Sequence, residues 1–98
     1  NIRVLISSIE AQGGTPVLFG YPLERSGYTE MHRKILASAG EELDVLFLDV
    51  QERMEQATQT GEYYFKRDRG HANADGNELI AKWVFDYLKE QDLLGQNQ

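Results

Sequence analysis

The chain has 98 residues, 41% of them hydrophobic, which gives room for one small domain with one modest core. Its formal net charge is −6, and its basic residues are interleaved with acids, as in Glu24-Arg25 and Arg67-Asp68-Arg69, so no basic stripe exists for phosphates and nucleic acid is not an expected partner. The lack of cysteine excludes a disulfide framework, a thiolate nucleophile and cysteine-ligated zinc, and the longest apolar run, Val45 to Leu48, falls far short of a membrane span.

Asn1 leads straight into a helical pattern with no initiating Met, so the natural N-terminus is expected to have been removed. Ile2, Leu5, Ile6 and Ile9 recur at helical spacing, and Gly13-Gly14 end that helix. Asn1 itself reads as its cap. Thr15 to Tyr21 is a short continuous apolar run suited to a parallel strand covered on both faces, stopped by Pro22. Leu23 to Gly27 is a polar connection, exposed by default, that can also line a cleft and contribute specificity through Arg25. Tyr28, Met31, Ile35, Leu36 and Ala39 predict a second helix, with Gly40 as its stop.

Asp44 to Val50 repeats the buried-strand pattern, with Asp49 as a ligand or a cap, and Gln51 to Ala57 predicts a short helix with Met54 facing inward. Thr58 to Asp75 reads as a long irregular stretch. Leu79, Ile80, Trp83, Val84, Tyr87 and Leu88 mark one face of a last helix, opened by a capping-box pattern from Asp75, as the N-cap, to Glu78. Trp83 is expected in the core, and residues 95–98 form a loose tail. The alternation of helix and strand implies an α/β sheet with right-handed crossovers. Two strands buried on both faces need neighbours, so residues 1–94 are expected to be the latter half of one three-layer α/β/α domain, completed by another chain segment or a second copy.

In open α/β sheets the ligand site lies beyond the carboxyl ends of the strands. The long loop belongs to that end and carries Asp68-Arg69-Gly70-His71. A carboxylate three residues before an imidazole, with Gly70 easing a tight turn, can accept from Nδ1 and leave Nε2 free to take a proton from a serine. The D-x-x-H spacing is common in unrelated proteins, where both residues are solvated. Its weight here comes from its place ahead of an amphipathic helix. Ser7, Ser8, Ser26 and Ser38 follow no Gly-Asp and sit in no G-x-S-x-G elbow, and read as structural. Tyr63-Tyr64-Phe65 is expected to pin the loop to the core, and Arg67 and Arg69 to pair with nearby acids.

The wider block, Asp68-x-x-His71-x-Asn73-x-x-Gly76 followed by Leu79-Ile80-Ala81 and a helix, resembles the last sequence block of the SGNH/GDSL hydrolases. The order of the helix ending in Gly-Gly, the strand TPVLFGYP, a helix and the strand DVLFLDV resembles the latter half of such a domain, so most of the chain is covered. Ala72 and Arg69 depart from residues frequent in that family, and its GDS serine block, oxyanion glycine and G-x-N-D asparagine are absent from this sequence. The resemblance implies the flavodoxin-like SGNH fold and hydrolysis or transfer of an ester of a lipid, an acetylated sugar or a small acyl or aryl group, with no metal or organic cofactor. It also implies His71 as general base and then general acid, Asp68 as its orienting carboxylate, and a serine outside these residues. Two rivals compete. One is a non-catalytic α/β interaction module that binds through an exposed sheet edge. The other is a metal site from Asp68, His71 and Asp75.

Overall fold

The structure is a computed structural model that describes residues 1–21 and 26–94. Leu23, Glu24 and Arg25 of the expected cleft lining, the 95–98 tail and the Arg69 side chain lie outside what is described. In chain order the elements are α1 (Ile2–Ala11), β1 (Val17–Phe19), α2 (Gly27–Leu43), β2 (Leu46–Leu48), α3 (Val50–Ala57), β3 (Tyr64–Phe65), β4 (Asp68–Ala72) and α4 (Ala74–Glu90). The protein is thus a small α/β structure. Among the described residues each sheet has two strands: a parallel pair, β1 with β2, and an antiparallel pair, β3 with β4.

The caps of the first half follow their sequence signals, but β1 and β2 are shorter than the apolar runs that carry them, Val50 opens α3 instead of closing a strand, and β1 is not covered on both faces, with Phe19 40% exposed. Asn1 caps α1, its side chain accepting from the Val4 amide at 3.0 Å. At the other end Gly13 takes a left-handed φ of 82° and the Gly14 amide donates to the Ile9 carbonyl at 2.9 Å, the reversal that the Gly-Gly pair suggests. In the parallel pair Val17, Leu18 and Phe19 stand opposite Leu46, Phe47 and Leu48, and Gly20 extends the pairing by donating to the Leu48 carbonyl. Ser26 opens α2 through a capping box with Thr29, which gives that hydroxyl a structural use.

Gly40 does not stop α2. The helix runs on to Leu43 and closes at Asp44, which takes the left-handed φ of 55°. Gly40 instead lies where α2 presses on the strand after it: a Cβ there would stand 2.9 Å from the Val45 carbonyl oxygen and 3.3 Å from the Phe47 Cβ. Its missing side chain serves close packing of helix on sheet.

The segment expected to be irregular contains a hairpin. β3 and β4 carry little strand pattern of their own, since Asp68-Arg69-Gly70-His71-Ala72 is mostly polar and interrupted by glycine. Their pairing depends on burial of Tyr64 and Ala72, which join Leu48, Val50 and Met54 in the core cluster, with Tyr63, Ile80, Trp83, Val84 and Tyr87 packed around it. Trp83 and Met54 therefore face inward as their spacing indicates. Met54 has 0% exposure and lies at the centre of contacts from α3, α4 and the hairpin. Met54→Ala is expected to lower unfolding free energy by about 2–5 kcal/mol, a loss that urea denaturation followed by circular dichroism would read.

Candidate active site

Asp68 and His71 lie in β4, and an ideal strand would keep them apart, because residues three positions apart point to opposite faces. The pairing is not ideal: Phe65 faces Asp68 while the adjacent Tyr64 faces Ala72, so residues 69–71 bulge out of the ladder. Asp68 holds that bulge with both carboxylate oxygens. Oδ1 accepts from the Gly70 amide at 3.1 Å, and Oδ2 lies 2.6 Å from His71 Nδ1. Since a carboxylate only accepts, Nδ1 is the donor in this contact, and Nε2 takes no part in it. The pair stands in solvent, with 76% of the His71 side chain and 57% of the Asp68 side chain exposed.

The bulge is tied to the rest of the chain through Asn73. Its amide donates to the Tyr63 carbonyl at 2.9 Å, and its side-chain Nδ2 reaches the carbonyls of Glu62 at 3.1 Å and Tyr64 at 3.4 Å. Its Oδ1 accepts from the Gly76 amide at 2.8 Å, which makes Asn73, not Asp75, the N-cap of α4. Asp75 sits exposed in the first helical turn, where its charge meets the positive end of the helix dipole. Gly76 is buried beneath the hairpin, and a Cβ on it would lie inside van der Waals contact with the Tyr63 carbonyl oxygen. Asn73 and Gly76 thus lock the strand that carries His71 onto the helix behind it.

Among the described residues, no three His, Cys, Asp or Glu side chains gather in a way that would hold a metal ion, so Asp68, His71 and Asp75 do not form such a group. Ser7 and Ser8 lie in α1 and Ser38 in α2. Of the aromatic trio, Tyr64 is buried and pins the hairpin, while Phe65 is exposed.

A charged hub at the carboxyl ends of β1 and β2 escapes sequence reasoning. Asp49 caps α3 through Oδ1, which accepts from the Glu52 amide at 3.2 Å, and Oδ2 accepts from Arg33 Nε at 2.6 Å. The same guanidinium reaches Glu30 and Glu52, each at 3.3 Å. Its bond to Asp49, above all, raises the pKa of Arg33 from its ordinary value; partial burial opposes this, and the charges of Asp49, Glu30 and Glu52 add to it. Asp49 is signalled as a cap by its place between strand and helix. Arg33, 16 residues earlier, carries no local mark of that partnership.

Comparison of the chain with protein-family models, curated proteins and solved structures finds no match. Asn73→Ala is expected to cost about 1–2 kcal/mol for the cap, and more for the carbonyls it leaves unpaired, as read by thermal unfolding. Gly76→Ala should displace the hairpin. Its measurable sign is the loss of the wild-type His71 imidazole shifts in NMR spectra, even where the variant remains helical by circular dichroism.

Proposed function

We propose that this chain supplies the acid–base pair of a Ser-His-Asp ester hydrolase of the SGNH/GDSL type, with the nucleophilic serine on a segment outside these residues. The observation that carries this reading is the 2.6 Å contact of Asp68 Oδ2 with His71 Nδ1, which holds one ring nitrogen and presents the other. Nε2 takes the proton of the serine hydroxyl as its oxygen attacks the ester carbonyl carbon. The carboxylate stabilises the resulting imidazolium, which then returns the proton to the departing alcohol. Water repeats the cycle on the acyl-enzyme. The chemistry requires no metal or organic cofactor.

The reading also assigns a place to the missing strands. β1 and β2 form a pair whose outer edges meet no further strand among the described residues, and Val4 and Leu5 of α1 are 66% and 62% exposed. A remaining half of a three-layer α/β/α domain, contributed by another segment or a second copy, would cover those surfaces and bring the serine over Nε2. The exposed edge and the apolar face of α1 equally suit a non-catalytic interaction module, and the two readings part at His71.

The test is hydrolysis of a short-chain aryl ester by the parent protein, wild type against His71→Ala and Asp68→Asn, with folding checked by circular dichroism. Activity is expected to fall by at least about 10³-fold in each variant with the fold retained. Equal turnover in wild type and His71→Ala would remove the pair from catalysis and leave the interaction module.

A further inference from the structure

The helix α2 has two sides with different fates. One side meets the rest of the chain: Arg33 bonds Asp49, Gly40 lies against Val45 and Phe47, and the first turns line, together with Gln51, a cavity of about 230 Å³ at the carboxyl ends of β1 and β2. The other side is a shallow trough that runs the length of the helix, with Met31, Lys34, Ile35, Ser38, Ala39 and Glu42 along it. With about 3.6 residues per turn, Met31, Ile35, Ser38 and Glu42 stand nearly half a turn away from Arg33 and Gly40, on the side turned from the sheet. Two large apolar side chains there face solvent, Met31 at 51% and Ile35 at 57% exposure. Completion of a three-layer domain adds strands at the sheet edges and helices over the sheet faces, so it leaves this side outermost.

The trough is complementary to itself. Ile35 is a branched knob, and the turn after it offers the small side chains of Ser38 and Ala39 as a hollow. Lys34 lies on the N-terminal side of that point and Glu42 on the C-terminal side, so the stripe carries opposite charges at its two ends. A two-fold axis passing between Leu36 and Ala37 sets a second α2 antiparallel to the first, with Ile35 opposite the partner's Ser38 and Met31 opposite the partner's Glu42. Lys34 then faces the partner's Ala39, one helical turn from the partner's Glu42, a gap that the lysine stem spans. Within its own chain Glu42 holds Arg3 through Oε1, which leaves Oε2 for that lysine. The two-fold makes each contact twice. Knob, hollow, cation and anion thus all find their counterparts on an identical helix.

We propose that the outer side of α2 is the contact surface for a second copy of this chain, with Ile35 seated between the partner's Ser38 and Ala39 and Lys34 paired with the partner's Glu42. One helix from each copy covers less than the roughly 800 Å² per partner of a standard interface, so the association is weak and depends on concentration. Sedimentation equilibrium of the full chain over about 0.01–1 mM covers the range in which such an interface saturates. The wild type is expected to pass from monomer to dimer, and Ile35→Glu to weaken dimerisation at least about tenfold with its helix content unchanged by circular dichroism. Lys34→Glu and Glu42→Lys are each expected to weaken it about fivefold, because like charges then meet at both pairs. An equimolar mixture of those two variants restores the wild-type Kd, since Glu and Lys face each other again on both sides of the axis. A wild type that stays monomeric, a dimer indifferent to Ile35→Glu and so joined through its strand edges, or a mixture no tighter than its separate components overturns the proposal. Where Ile35→Glu loses helix, the mixture of charge variants decides. The readout is mass, so it stands apart from the hydrolase reading.

Discussion

The Asn73 side chain is bonded on one side to the carbonyls of Glu62 and Tyr64 and on the other to the amide of Gly76, while its own amide reaches the Tyr63 carbonyl. One residue therefore closes the hairpin, caps α4 and fixes the distance between them. Gly76 makes that distance possible, because a side chain there would collide with the backbone of Tyr63. Once the hairpin is seated, Tyr64 and Ala72 have only one place to go, against Val50 and Met54. His71 is then turned outward, because it neighbours a buried residue in the strand. The bulge at residues 69–71 follows from the same constraint: the ladder is pinned at Tyr64–Ala72 and at Phe65–Asp68, and the excess chain on β4 must leave the sheet.

The Arg33 hub does a comparable task at the end of the parallel pair. Arg33, Glu30 and Asp49 are each about a quarter exposed or less and Glu52 about half, and at a partly buried site of this kind the desolvation of the charges offsets much of what the ion pairs contribute to stability. Their value lies in geometry. Asp49 is held by a helix amide on one oxygen and a guanidinium on the other, which fixes where α3 leaves β2 and keeps α2 beside it. The start of α3 in turn places Val50 in the core and Gln51 beside the cavity. The two ends of the same short turn thus serve the packing of the hairpin and the lining of the pocket.

How much of this was legible in the sequence depended on the range of the signal. Ile6, Met54 and Trp83 announce their inward faces by helical spacing, and Gly13-Gly14 announce a reversal that only nearby residues decide. The Asp68–His71 contact belongs to the same class, since both partners and the glycine between them lie within four residues. Gly40 misleads because a glycine near a helix end has two uses, termination and close approach, and the second is set by Val45 and Phe47 across the interface. The hairpin hid because its strands have no alternation and gain their pairing from burial of Tyr64. Asp75 outranked Asn73 as a cap on local pattern, and the hydrogen bonds to Glu62 and Tyr64 that favour Asn73 come from residues about ten positions earlier. Arg33 and Asp49 needed the fold itself.

A dyad in open solvent works poorly as a base, because water screens the carboxylate and competes for Nε2. On the proposed reading, the exposure of His71 and Asp68 is of one kind with the exposure of Val4 and Leu5 and with the β1–β2 edges that no further strand pairs among the described residues: each would be covered in the completed domain. The chain measures 42 × 35 × 17 Å, and its radius of gyration of 14.7 Å exceeds the roughly 13 Å of a rounded domain of about this length. A slab of that thickness holds a helix layer on a sheet and little more. On the proposed reading a single added layer meets all three needs together. It pairs the sheet edge, buries the α1 face and lowers the dielectric around the dyad, so the completion of the fold and the assembly of the site become one event.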